Sequence, residues 1–311
     1  MSRISDLILT GLAPVIWGTT YLVTTEYLPD GYPITVAMLR ALPAGILLLI
    51  LVRQLPQGSW WARIALLGAL NFSIFWICLF VAAYRLPGGV AATVGAVQPL
   101  IVIALASVVL GTTIRAVSVL AALAGIVGVA LLILTPDAAL DPLGVAAGLG
   151  GAVSMGAGTV LTRKWQPPVS LLTFTAWQLT AGGLLLLPIA FWLEPPLPPF
   201  TTESLLGLTY LGLIGAAMTY VLWFRGLSRL DPSAVSSLGF LSPVTAVLLG
   251  WLALDQRLNG LQVAGVLIVL ASVWLSQWRG QGKTAHRNEN FNPPIRRDAR
   301  TSKRSNRYAR A

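Results

Sequence analysis

Cysteine and histidine are almost missing from this chain: one of each, Cys78 and His286, in 311 residues. A lone cysteine forms no internal disulfide, and Cys78 sits inside an apolar run where it reads as a small buried hydrophobe. With His286 in the polar C-terminal stretch, no Ser–His or Cys–His pair and no His/Cys metal cluster can assemble. Charge is scarce as well, at 10% of residues, against about 25% in soluble domains. The 11 acids fall mostly between apolar runs, so no carboxylate pair stands ready for acid–base work. No cofactor and no metal are expected, and an intramembrane enzyme is left as the remote alternative.

What the chain has instead is apolar length. Hydrophobic residues make up 56% of it, gathered into runs close to the roughly 20 residues that cross a bilayer. Ten spans are expected, at 8–28, 33–52, 62–84, 89–110, 114–134, 143–163, 169–193, 204–226, 233–254 and 260–278. Turn signals separate them, among them Pro29-Asp30-Gly31, Pro56-Gln57-Gly58 and the Pro-rich 195–199. Lipid offers the backbone no hydrogen-bond partners, so the spans must be helices. The first is read as a retained helix, because no small-residue cleavage site follows it.

The net charge of +10 does not indicate a nucleic-acid partner. Ten of the 21 Lys and Arg lie in residues 279–311, a polar stretch expected to be a disordered basic tail. With the N-terminus in the cytoplasm, the inner loops hold eight cations: Arg3, Arg53, Arg63, Arg115, Arg163, Lys164, Arg225 and Arg229. The outer loops hold two, Arg85 and Arg257. Basic loops stay inside, so both termini are expected in the cytoplasm of a multi-pass protein of a bacterial inner (plasma) membrane.

The two halves, 1–134 and 143–278, can be laid over each other. Ile16-Trp17-Gly18 falls on Ser154-Met155-Gly156, Pro29 on Pro167 and Arg40 on Gln178, at a spacing of 138. Arg85-Leu86 falls on Arg229-Leu230, and Gln98-Pro99 on Ser242-Pro243, at a spacing of 144. Five helices per half is an odd number, so the halves would be inverted repeats. That design places one site at mid-membrane and exposes it alternately to the two sides. The fold class expected is therefore an all-α membrane protein of two inverted five-helix repeats.

The Trp-Gly pair of the first span, Arg40 in the second and the segment Arg229 to Leu275 resemble the drug/metabolite transporter superfamily, in its ten-helix EamA-type branch. The likeness covers residues 8–278. The family's Leu-Gly-Glu is broken here, with Gln256 at the glutamate position of the second half and Thr112 in the first. The resemblance implies an exporter of amino acids or related metabolites, and within the branch the chain is most similar to aromatic amino-acid exporters. A passive channel is the alternative.

The residues themselves suggest where a substrate would bind. Arg40 is a cation deep inside a span, a costly placement that points to function, to a backbone anchor or to a hydrated crevice. Trp17 and Tyr21 share one helical face, as do Asn71 and Phe75, and Tyr220 lies deeper than an interfacial belt. Gln98, Gln178 and Ser242 are mid-span polar groups, and Met155 is the repeat partner of Trp17. These ten residues are the expected substrate-binding set. Pro99 and Pro243 are expected to kink their helices and free carbonyls there. The featureless fifth and tenth spans are expected at the periphery. The partners implied are a small-molecule substrate and the lipid bilayer; oligomeric state is left open.

Overall fold

The computed structural model describes residues 3–29, 31–86, 88–133, 141–253 and 259–278, without the side chains of Tyr21, Thr25, Tyr84 and residues 88–91. The basic tail, the 134–140 connection and Gln256 lie outside the described residues.

Ten helices among the described residues are long and apolar enough to cross a membrane. They are α1 (Arg3–Thr24, running on to Tyr27), α2 (Pro33–Val52), α3 (Trp60–Ala83, running on to Arg85), α4 (Ala92–Leu110), α5 (Ala116–Ile133), α6 (Pro142–Lys164), α7 (Leu171–Leu193), α8 (Thr202–Arg229), α9 (Pro232–Ala253) and α10 (Gly260–Gln277). Each sits within a few residues of its expected span. The helices of the second half start where short polar side chains can cap them. Asp141, Ser170, Thr201 and Asp231 each accept a hydrogen bond from a backbone N–H of the first turn of α6, α7, α8 and α9, satisfying a donor that the helix leaves orphaned.

Four spans are irregular, in two matched pairs. α3 widens into a π-helical stretch at Ala69–Ser73 and α8 into one at Leu213–Met218, starting 144 residues apart, the spacing of the sequence repeat. α4 and α9 are interrupted by turns at 96–97 and 239–240. These turns precede Pro99 and Pro243, whose missing N–H removes the helical donor for the carbonyl four residues back, Gly95 or Gly239. At the second site the Gly239 carbonyl accepts from the Ser242 N–H instead, at 3.1 Å.

Lipid tails are as apolar as leucine, so the helices associate through close packing of small residues rather than through exclusion from water. α2 lies along α7, and the contact is reciprocal. A Cβ on Gly45 would meet Thr180 N at 2.5 Å, and one on Gly183 would meet Leu42 Cα at 2.7 Å. Positions 45 and 183, and 42 and 180, are each 138 residues apart. The same exchange relates the pairing of α1 with α9 (Gly18 against Thr245) to that of α6 with α4 (Gly156 against Ile101). α5 packs on α10, away from the polar centre.

Candidate functional site

A cavity of about 500 Å³ occupies the middle of the bundle, within the ~300–1,000 Å³ range of small-molecule sites. Seven helices line it: α1, α2, α3, α4, α6, α8 and α9. It reaches the bundle surface beside the α1–α2 connection, where Pro29, Gly31, Tyr32 and Pro33 join Ala83 of α3 in its wall. α5, α7 and α10 contribute nothing to the lining.

Helical spacing decides which side chains face in. On α1, Trp17, Thr20 and Thr24 recur at intervals of three and four, and on α2 Pro33, Val36, Ala37 and Arg40 do the same. α3 presents Phe75, Trp76, Leu79, Phe80 and Ala83. The broken helices deliver Gln98 from the turn in α4, and Ser236, Gly239 and Ser242 around the turn in α9. Met155 of α6 and Leu211, Tyr220 and Trp223 of α8 complete the wall.

Aromatic rings form the deep end. Trp17 stands 5.1 Å from both Tyr220 and Trp223, and Phe72 lies 4.5 Å from Tyr220 behind it, ring centroid to centroid. The tilted geometries are those the ring quadrupoles prefer. Trp17 is held from behind as well, its Nε1–H donating to Thr219 Oγ1 at 2.9 Å. A flat apolar group entering the cavity would meet ring faces and edges whose positions are already set.

Among the described residues, Arg40 is the one charged residue that lines the cavity. Its Nη2 donates to the carbonyl of Gly215 at 2.6 Å, and its guanidinium lies 5.6 Å from the Trp76 ring centroid. Gly215 belongs to the π-helical stretch of α8, where the ladder is disturbed and a carbonyl turns toward a side-chain donor. The guanidinium is thus both anchored to backbone and part of the cavity wall, and its planar fork of five donors suits a carboxylate.

Of the expected set, Trp17, Arg40, Phe75, Gln98, Met155, Tyr220 and Ser242 come together around this cavity. Asn71 and Gln178 do not. Both are fully buried, and Asn71 Nδ2 donates to Gln178 Oε1 at 2.8 Å and to Thr162 Oγ1 at 3.3 Å. They pair with each other between α3, α6 and α7, with Gly158 leaving the room that Asn71 fills. The Tyr21 side chain lies outside those described. Pro99 and Pro243 shape their helices without lining the cavity. Trp76, Trp223 and the α2 face were missed as lining, although Val36, Ala37 and Arg40 share a helical stripe that marks them.

The described residues hold no group of three or more His, Cys, Asp or Glu placed to bind a metal ion. Among the described residues that line the cavity there is no Asp, Glu or His.

The far end of the bundle is closed by charged residues converging on the last turn of α8. Arg225 pairs with Asp6 of α1 at 2.6 Å and Arg229 with the same carboxylate at 3.4 Å, the Asp6 side chain being only 11% exposed. Arg163, at the end of α6, donates to the carbonyls of Leu227, at 3.0 Å, and Ser228. Arg3 donates to Gln277 O at 3.2 Å, and Gln277 Nε2 to Ala234 O at 2.9 Å, which ties α1, α10 and α9 together at that end.

The sequence profile of the EamA-like transporter family matches this chain twice, over residues 5–134 and 142–278. The chain is 47% identical over 267 residues to Protein PecM of Dickeya dadantii, a match that covers 85% of this chain and 90% of that protein. It is 28% identical over 241 residues to the uncharacterized inner membrane transporter YedA of Escherichia coli, covering 76% of this chain and 78% of that one. A solved crystal structure superposes with a TM-score of 0.76 at 21% identity, covering 89% of this chain and 98% of the other; at that identity the likeness concerns the fold.

Proposed function

The chain belongs to the EamA-like transporter family, and from that premise we propose that it exports amino acids, preferring aromatic or hydrophobic ones, by alternating access. That it is a multi-pass inner-membrane transporter of small molecules rather than an enzyme follows from the family and its relatives. The substrate class, the direction and the mechanism are our reading.

The observation that carries it is the composition of the cavity wall: one guanidinium, a few uncharged polar groups and a floor of fixed rings. Arg40 would receive the carboxylate. Gln98, Ser242 and the disturbed turns of α4 and α9 would offer acceptors to the ammonium. Trp17, Phe75, Met155 and Tyr220 would hold the side chain. The double profile match, the paired irregularities of α3 with α8 and of α4 with α9, and the reciprocal contacts of α2 with α7 support inverted repeats. A cavity open at one end and sealed at the other is the shape one state of an alternating-access carrier has. The loop cations favour the reading in which the open end faces outside and both termini lie in the cytoplasm.

The test is counterflow in proteoliposomes with labelled phenylalanine and alanine. Saturable uptake driven by unlabelled substrate on the other side is expected. Each aromatic contact is worth about 0.5–1.5 kcal/mol beyond area, or roughly 2- to 13-fold in affinity. Trp17→Ala should therefore lower the phenylalanine-to-alanine ratio by that factor, whereas Gln98→Ala should weaken both substrates alike. Flux that does not saturate would make the protein a channel. An unchanged ratio in Trp17→Ala would make Trp17 a packing residue.

A further inference from the structure

Comparing the two ends of the bundle separates contacts that occur at both from contacts that occur at one. The third helix of each half ends in an arginine of the last turn, Arg85 on α3 and Arg229 on α8, 144 residues apart. Each meets an acid near the start of the first helix of the other half. Arg229 lies 3.4 Å from Asp6 of α1, and Arg85 lies 3.7 Å from Asp141 at the start of α6. These ion pairs sit at opposite ends of the bundle, one beside the sealed end and one beside the open end. A contact present at both ends cannot be what makes them differ.

The Arg163 contact differs between the ends. At the sealed end, α6 and α8 meet where Arg163 donates to the Leu227 and Ser228 carbonyls. Carried into the first half at spacings of 138 and 144, these residues become Thr25 of α1 and Ala83 and Tyr84 of α3. That is the open end: Thr24 and Ala83 are both walls of the cavity there, and among the described residues α1 and α3 do not pack along each other. One half holds its first and third helices together at their ends, and the other holds the same pair apart.

We propose that the Arg163 clasp between α6 and α8 is the gate that seals the cavity at that face, with residues 24–26 of α1 and 83–85 of α3 forming the matching gate at the other. The ion pairs Asp6–Arg229 and Asp141–Arg85, which occur at both ends, are then hinges, kept in both states. Arg163 suits a gate because one planar guanidinium holds two carbonyls at once, at a helix C-terminus whose last carbonyls lack helical donors and whose dipole favours a cation. Its partners are backbone oxygens that water can satisfy when the clasp opens, so no buried charge is stranded. Freeing Asp6, whose side chain is only 11% exposed, from both Arg225 and Arg229 would leave a buried carboxylate without a cation, at a much higher cost. The proposal rests on the alternating-access reading.

The experiment uses the full chain with Cys78→Ala and Ser242→Cys, which places one thiol in the cavity wall. An impermeant maleimide is applied to right-side-out and to inside-out vesicles, and the ratio of the two labelling rates is read. The ratio is taken on protein already in the membrane, so poor expression of a variant does not enter it. The parent should be labelled chiefly from the face of the α1–α2 connection. Arg163→Gln should raise labelling from the opposite face by about tenfold or more, a bias of about 1.4 kcal/mol, and Arg163→Lys should fall between. Asp6→Asn should lower the amount of folded protein and leave the ratio near that of the parent. An unchanged ratio in Arg163→Gln overturns the gate. A shift in Asp6→Asn as large as that in Arg163→Gln overturns the division into gate and hinge. A parent labelled equally from both faces, with flux that does not saturate, would be a channel and would overturn the carrier reading itself, before any variant is considered.

Discussion

Replacing Arg40 by glutamine removes the one charge that the described residues place in the cavity wall, while keeping a planar, hydrogen-bonding side chain. In the structure its guanidinium holds the Gly215 carbonyl at 2.6 Å, so a carboxylate would be met by its other donors. A hydrogen bond to a charged group contributes about 1.5–3 kcal/mol, which is roughly 13- to 160-fold in affinity. The KM for phenylalanine and for alanine in proteoliposome counterflow should both rise by about one to two orders of magnitude, leaving their ratio unchanged. Arg40→Lys keeps the charge but loses the fork. A single ammonium cannot both hold Gly215 and reach the substrate, so an intermediate loss is expected. The structural role is controlled by the analogue that lacks the carboxylate. Phenethylamine, used as a competitor, should inhibit Arg40→Gln as well as it inhibits the parent. If phenylalanine and phenethylamine lose affinity equally, Arg40 is a strut for the π-helical turn of α8 and the carboxylate reading fails.

A methyl group on Gly183 would lie 2.6 Å from Leu42 Cβ and 2.7 Å from Leu42 Cα, so α2 and α7 must separate. Gly183→Ala should cost about 1–3 kcal/mol and lower the melting temperature in detergent, while Gly95→Ala, whose Cβ meets nothing within 4 Å, should leave it nearly unchanged. In a Cys78→Ala background, Asp137→Cys should react with an impermeant maleimide on intact cells and Gln57→Cys only after the membrane is opened; the reverse pattern would invert the topology. Among the described residues no Asp, Glu or His lines the cavity, so a pH gradient imposed across otherwise symmetric proteoliposomes should drive no concentrative uptake. Accumulation under that gradient alone would require a titrating group elsewhere on the pathway.

Some lining residues were legible in the sequence and others were not, for identifiable reasons. Trp17, Phe75 and Tyr220 stood out because a large ring at mid-span has no interface to belong to. Asn71 and Gln178 stood out for a similar reason, a polar group at mid-span, and that reasoning misled: depth shows that such a group needs a partner, not whether the partner is a substrate or another side chain. Here each is the other's partner, across 107 residues of chain. Asp6 is an acid near the start of the first span, and only the end of α8 arriving beside it makes it part of a buried ion pair.

The ten helices, their boundaries to within a few residues and their paired irregularities in α4 and α9 were determined locally. Hydrocarbon forces each apolar run of sufficient length into a self-satisfied helix, and a proline breaks that helix wherever it falls. The repeat spacing is likewise a property of the string of residues. Which helix faces enclose the cavity was decided by packing: α2 presents Val36, Ala37 and Arg40 to it, whereas α7, in close backbone contact with α2 at Gly45 and Gly183, contributes nothing to the lining. The π-helical turns of α3 and α8 left no mark in composition, since Leu213–Met218 reads as any small apolar segment. That Arg163 reaches α8 at one end while, among the described residues, α1 and α3 do not pack along each other at the other belongs to the tertiary structure alone. The two halves carry much the same pattern, and one sequence of this kind supports either assignment of open and closed ends; the difference lies in which helix ends meet.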